Sequence, residues 1–404
     1  MATMEYKCPS CGAPLSFNPE NQNFLCEYCG SAFTAQQIQS LYADREQQET
    51  VNEREVKHSE EQRAQAQRRG EEFDEDFMVS YSCPSCGAEV ITAESTAATT
   101  CYFCQNPVVL GSRLSGEFRP DSVIPFALTK EKAVDAFMKM CGRKKFLPAG
   151  FAGREQFEKL QGVYFPYWYV DEQMQSSAVA TGKKVRHWTS GNRRYTETST
   201  YRLYRTGDIT INNVFEEALR DKHNAKAQFS ARQQQQQTPE SNRAANAKEA
   251  MKYLEQYQLS KRHEMLQCVH PYDVSKAVPF AMSYLSGFKA EKRELDRKDI
   301  EADIAQRMDE YAKQLLTDTM NGYEGVHLES YSDRTYDQNW RYTLLPVWIV
   351  TYKYKDEILP FAINGQTGKT YGKLPVAGGK LALWGAVVAV IVFILATLGG
   401  MLFL

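Results

Sequence analysis

Histidine is scarce in this chain, with six among 404 residues. None sits in a pattern that ligates a metal or relays a proton. "HEMLQ", from His263, has Gln267 where a zinc-protease helix needs its second histidine, so that chemistry is excluded. His187, His223 and His270 have no recognisable partners and read as surface or packing residues. A phosphate-binding loop is also missing. "INGQTGKT" ends correctly, but Ile363 stands where the first glycine belongs and Gly365 comes too late. The stretch reads instead as a hairpin turn, preceded by Asn364-Gly365. Cys141 and Cys268 stand alone, as buried structural thiols usually do. No Ser/His/Asp arrangement is visible. The expected catalytic and cofactor-binding residues are therefore none, and an enzyme survives only as an alternative, with an unrecognised site in the body. The formal net charge of −2 shows no global cationic bias toward polyanions.

What is present is cysteine in two matched sets. "CPSCGAPLSFNPENQNFLCEYCG" holds Cys8, Cys11, Cys26 and Cys29, and "CPSCGAEVITAESTAATTCYFCQ" holds Cys83, Cys86, Cys101 and Cys104. Four thiolates can close a tetrahedral shell around zinc, and each Cys-x-x-Cys grips the ion from one tight turn. The expectation is two zinc ribbons with one structural Zn2+ each. Four-cysteine iron has the same spacing, and disulfide or redox pairs are a further reading. All four positions of each set are protein ligands, so no place is left for substrate. A segment this short buries too little apolar surface to fold alone, and metal binding supplies the missing free energy.

Both ribbons are acidic. The first has Glu5, Glu20 and Glu27 against Lys7; the second has Glu89 and Glu94 with no Lys or Arg from Tyr81 to Leu110. They should repel a phosphate backbone. Phe17, Phe24 and Phe103 are either partner contacts or the small ribbon cores.

The stretch Leu381 to Leu404, "LALWGAVVAVIVFILATLGGMLFL", carries no charge. About 20 apolar residues span a bilayer, so a C-terminal transmembrane helix is expected. Lys369, Lys373 and Lys380 precede it. The positive-inside bias then places the N-terminal bulk in the cytoplasm, as a single-pass, tail-anchored protein of the cell membrane. The start of the chain shows no signal-peptide pattern, and thiols organised for metal suit a reducing compartment.

Between these ends we read zinc ribbon 1 over 1–33, a charged helical or flexible spacer over 34–80, and ribbon 2 over 81–110. An α+β module follows over 111–215, then a polar helical region with a Gln-rich loop over 216–262. A second α+β module occupies 263–376, before the helix at 381–404. Thr129 is placed to cap a helix carrying Ala133, Phe137 and Met140 at helical spacing. Part of the body recurs: "VPFAMS" resembles "IPFALT". "LLPVWIV" resembles "YFPYWYV", aligning Pro346 with Pro166 and Trp348 with Trp168. Thr367-Gly368-Lys369 aligns with Thr181-Gly182-Lys183. The fold class expected is therefore small β zinc ribbons, an α+β body with a duplicated module, and one transmembrane helix.

One stretch is both basic and aromatic. Lys183, Lys184, Arg186, Arg193, Arg194, Arg202 and Arg205 stand with Trp188 against Glu197 alone. This set is the candidate contact for anionic lipid or nucleic acid, with a solvated strand face as the plain reading. Nucleic acid ranks last of the three.

The motifs "CPSCGA…CEYCG", "CPSCGAEV…CYFC", "LLPVWIVTYKYK" and "FAINGQTGKTYGKLP", with the terminal apolar run, resemble a family of bacterial membrane proteins. That family carries N-terminal ribbons of the transcription-factor-B type. Members are often labelled as primosomal-helicase-like, which would imply ATP-dependent unwinding; the failed phosphate loop here argues against that. The eight cysteines match the family's ligand pattern, whereas Gln105 replaces the glycine that follows the matching knuckle. Some relatives stand beside membrane-stress proteins of the phage-shock type, which implies recruitment of cytosolic partners to the membrane. The function expected is a non-catalytic, membrane-tethered zinc-ribbon adaptor or scaffold for cytosolic or membrane-associated proteins. A membrane-associated nucleic-acid-binding regulator is the alternative.

Overall fold

The computed structural model describes residues 5–50, 78–83, 89–93, 96–101, 106–114, 116–148, 151, 160–219, 264–354 and 357–402. Most of 216–262 and much of the expected spacer lie outside this set.

The N-terminal ribbon is an antiparallel sheet of β1 (Ser16–Asn18), β2 (Asn23–Leu25) and β3 (Ala32–Phe33). Helix α1 (Ala35–Thr50) follows at once. Thr34 and Gln37 exchange hydrogen bonds at its start, the reciprocal capping that satisfies free N–H groups. Part of the expected spacer is thus ordered: Ile38 and Tyr42 are buried against the ribbon. The Tyr42 hydroxyl accepts from the Lys7 amide and donates to the Lys7 carbonyl.

Two hairpins come next, β4 (Met78–Ser82) with β5 (Glu89–Ala93), and β6 (Thr96–Thr100) with β7 (Pro107–Val109). The body continues with β8 (Ser122–Val123), α2 (Lys130–Gly142), β9 (Gln161–Ser190) and β10 (Arg193–Glu217). Then follow β11 (Val278–Pro279), β12 (Lys289–Glu291), α3 (Arg297–Asp318), β13 (Glu324–Tyr354), β14 (Glu357–Asn364) and β15 (Thr370–Gly372). Thr129 caps α2 by accepting from the Lys132 amide. α2 buries Ala133, Val134, Phe137 and Cys141.

The α+β expectation is corrected: the body is mostly β-sheet, with strand exceeding helix by 43% to 29%. Three strands of 30, 25 and 31 residues cause this. β9 lies between β10 and β13, antiparallel to both. Tyr164 to Tyr167 are buried on both faces, whereas beyond Val170 burial alternates and one face packs on α3.

The duplication has a physical form. Val123 of β8 pairs in parallel with Leu344 of β13, and Ala290 of β12 pairs in parallel with Tyr164 of β9. Each partner stands four residues before its tryptophan, Trp348 or Trp168. The Trp348 indole donates to the Leu128 carbonyl at 3.0 Å, just before α2. The Trp168 indole donates to the Leu295 carbonyl at 3.0 Å, just before α3. Each half therefore fixes the helix start of the other half, across the antiparallel β9–β13 pair at Phe165 and Leu345. Two sequence alignments are corrected here. The segment equivalent to β8 is β12, not "VPFAMS", which forms β11 and pairs with β8 itself. Thr367-Gly368-Lys369 forms a turn between β14 and β15, whereas Thr181-Gly182-Lys183 continues inside β9.

The expected tail anchor is also corrected. Among the described residues, no helix is long and apolar enough to cross a membrane. α4 (Gly378–Leu402) begins docked on the body. The Ala377 amide donates to the Phe146 carbonyl, the Lys380 ammonium donates to the Leu147 carbonyl, and Trp384 meets Phe146 edge-on. A single-pass anchor is therefore not seen, and the cell-membrane placement and orientation derived from it fall with it.

Candidate metal centre

Two tight turns build the site. In the first, the Gly12 amide donates to the Cys8 carbonyl and the Cys8 amide to Ala13. In the second, the Gly30 amide donates to Cys26 and the Cys26 amide to Ser31. Gly12 and Gly30 take φ of +77° and +73°, where a side chain is strained. This explains the glycine after each Cys-x-x-Cys, and gives the departure at Gln105 its physical meaning. Gln105 itself lies outside the described residues.

The turns bring Cys8, Cys11, Cys26 and Cys29 together, with all four sulfurs within 4.8 Å of one another. Cys8 Sγ is 3.6 Å from Cys29 Sγ, and Cys11 Sγ is 3.5 Å from Cys26 Sγ. A disulfide would need about 2.05 Å, and the thiols are free. Four sulfurs at about 2.3 Å from one tetrahedral ion would stand about 3.8 Å apart. The donor set thus fits a metal ion. Cys8 and Cys26 are buried, while Cys11 and Cys29 are exposed. Hydrogen bonding with the Ser31 side chain, then with its backbone, lowers the Cys29 thiol to about 6.

Phe17 and Phe24 are buried ribbon core, so the partner-contact reading of these two is corrected. They meet at 5.4 Å, and Phe17 also packs on Tyr284 of the body at 5.3 Å. The Phe17 amide donates to Ser286 and the Ser286 hydroxyl to Leu15. The ribbon is therefore seated on the body by its strand face, with its metal turns outward. Tyr28, between Cys26 and Cys29, is 85% exposed. Sequence reading missed it, although a position between two ligands of one turn must point away from the ion.

Of the second set, Cys83 and Cys101 are buried beside Val108 and Leu110. Cys86, Cys104 and Phe103 lie outside the described residues.

The basic set is divided by the fold. Lys183, Lys184, Arg186, Trp188, Arg193 and Arg194 lie exposed on the distal β9–β10 hairpin. Arg202 instead pairs with Glu329 at 3.4 Å, and Arg205 donates to the Thr319 carbonyl at the end of α3. Arg202 remains exposed despite its pair. Burial pushes Cys141 up to about 11, as expected of an inert thiol. His270 is buried, stacked on Phe215 at 3.8 Å, and lowered to about 4 by burial and by Lys369. It is neutral at pH 7 and held as packing. His223 and His263 lie outside the described residues.

No protein-family model matches this chain, and no solved structure does. The chain is similar to a Bacillus subtilis (strain 168) protein called uncharacterized protein YdjG. The two are 29% identical over 381 residues, covering 94% of this chain and 93% of that protein.

Proposed function

We propose that the chain is a non-catalytic zinc-ribbon adaptor or scaffold that holds protein partners. The carrying observation is the seating of the ribbon. One face is spent on the body, and the opposite face presents Cys11, Cys29 and the exposed Tyr28 ring. A ring held between two ligands of one turn loses little freedom on docking, which suits it to anchor a partner. Zinc is the metal proposed for Cys8, Cys11, Cys26 and Cys29, and a second zinc for Cys83, Cys86, Cys101 and Cys104. Each ion would fix its turns and supply no reaction step, since every ligand place is taken by protein.

The experiment captures partners with the full chain and with Tyr28→Ala, then measures binding of each identified partner in purified form. Elemental analysis runs in parallel. The reading requires a partner whose affinity falls at least tenfold with Tyr28→Ala while metal content stays near two per chain. An unchanged affinity would remove the ribbon from the interface. Iron in place of zinc would correct the metal and leave the adaptor standing.

A further inference from the structure

We infer that the distal β9–β10 hairpin is an arm that enters the major groove of duplex DNA, a function separate from the metal ribbon. The argument begins where the sheet loses its cover. Ala178, Ala180 and Leu203 pack under Ile304, Met308, Ala312 and Leu316 of α3. The helix stops at Asp318. Tyr323 then closes the edge by lying on Gly182, where a Cβ would sit 2.9 Å from the Tyr323 Cβ. β13 pairs with β9 only as far as Lys183. Beyond that point, among the described residues, Val185–Ser190 and Arg193–Thr198 form a free two-stranded ribbon. It turns at Gly191-Asn192, with Gly191 at φ +58°. Its length is about 20 Å at about 3.3 Å per residue.

Register decides what each face shows. Trp188 lies opposite Tyr195, and Arg186 opposite Glu197. One face therefore carries Lys184, Arg186, Trp188, Arg193 and Tyr195, with Glu197 beside Arg186. The rings of Trp188 and Tyr195 stack at 5.5 Å and 12°, and each is about two-fifths exposed. Lys184 lies 4.8 Å over Tyr323, and Arg186 lies 5.9 Å over Trp188. The stacked rings stiffen the arm and hold the cations in place. The opposite face carries Lys183 and Arg194, with His187 bonded to the Thr196 hydroxyl at 2.9 Å. Glu197 is the one acidic group on the arm.

Cations on both faces choose the partner. A flat anionic bilayer meets one face, and the turn Ser190-Gly191-Asn192 offers no apolar side chain to enter hydrocarbon. A major groove has phosphates on both walls. It is about 12 Å wide and admits a two-stranded ribbon, whereas the minor groove, at about 6 Å, does not. The A-form major groove of RNA is too narrow and deep for side chains to read. The ring faces of Trp188 and Tyr195 are partly spent on each other, which disfavours stacking of single-stranded bases.

The test titrates the full chain with a labelled mixed-sequence DNA duplex across salt, followed by anisotropy. One variant combines Lys184→Gln, Arg186→Gln and Arg193→Gln; a second combines Lys183→Gln and Arg194→Gln. All five side chains are exposed, so folding should be unchanged. Each variant should weaken duplex binding by about tenfold or more and lower the salt slope by about 0.9 per lost phosphate contact. Cys29→Ser should leave binding intact, which separates this result from the fate of the adaptor reading. Loss with the first variant alone would show one-sided contact and overturn groove entry. Equal or tighter arm-dependent binding to phosphatidylglycerol vesicles or single-stranded DNA would overturn duplex DNA as the partner.

Discussion

Replacing Trp348 with phenylalanine tests whether the two halves of the body hold each other's helix starts. Trp348 is 5% exposed, and its indole donates to the Leu128 carbonyl at 3.0 Å. Its ring lies 4.9 Å from Phe126 and 5.9 Å from Phe288. Phenylalanine keeps the aromatic packing but has no donor. The hydrogen bond contributes about 1 kcal/mol, and the carbonyl left facing an apolar ring adds about 1 more. The volume lost is roughly 40 Å³, which at about 24 cal/mol per Å³ costs about 1 kcal/mol. The sum is about 3 kcal/mol. Trp168→Phe removes the equivalent bond to Leu295 at a half-buried site, where water can replace the lost donor. It should cost about 1–2 kcal/mol. Urea unfolding followed by far-UV circular dichroism gives the two shifts, compared at a common slope. Trp384→Phe, on an exposed helix surface, is the control. A Trp348→Phe shift no larger than the control's, or one smaller than that of Trp168→Phe, would refute the reciprocal arrangement.

The other outcomes follow from single sites. Cys26→Ser should remove one metal equivalent per chain by elemental analysis, and Gly30→Ala should retain the metal while destabilising the ribbon by about 1 kcal/mol. Gly372→Ala should prevent native packing or cost more than about 2 kcal/mol, because its Cβ would overlap the buried Phe361 ring; thermal unfolding reads this directly. His270 is lowered to about 4 when folded, so between about 6.5 and 4 the unfolded chain binds more protons. Stability should be full at pH 7 and fall through that window by about 3 kcal/mol. His270→Phe should flatten that pH dependence, and an unchanged slope would assign acid sensitivity elsewhere.

Some features were legible because they are local in the chain. Cys-x-x-Cys spacing dictates a turn, and two such turns in one short segment have little choice but to converge, as the four sulfurs of ribbon 1 do. Thr129 as a cap and the hairpin turn that follows Asn364 depend on neighbouring residues, and both are present. The recurrence of Pro-x-Trp marked a duplication. Which segments are equivalent was not legible, because "VPFAMS" and the true counterpart around Ala290 are both short strands with no intrinsic partner. Only pairing with β9 and β13 distinguishes them. Helix-forming "EKRELDRKDIEADIAQRMDEYAKQLL" promised α+β balance, yet the lengths of β9, β10 and β13 made the body mostly sheet. Charge density picked out Lys183 to Arg205 as one basic stretch. Tertiary structure split it, since Arg202 and Arg205 meet partners more than 100 residues away, while the residues beyond Lys183 outrun both α3 and β13. Composition specifies how a segment can fold; which neighbour covers it depends on contacts distant in sequence, and those decide whether an arginine has a partner across the sheet or stands on a free arm.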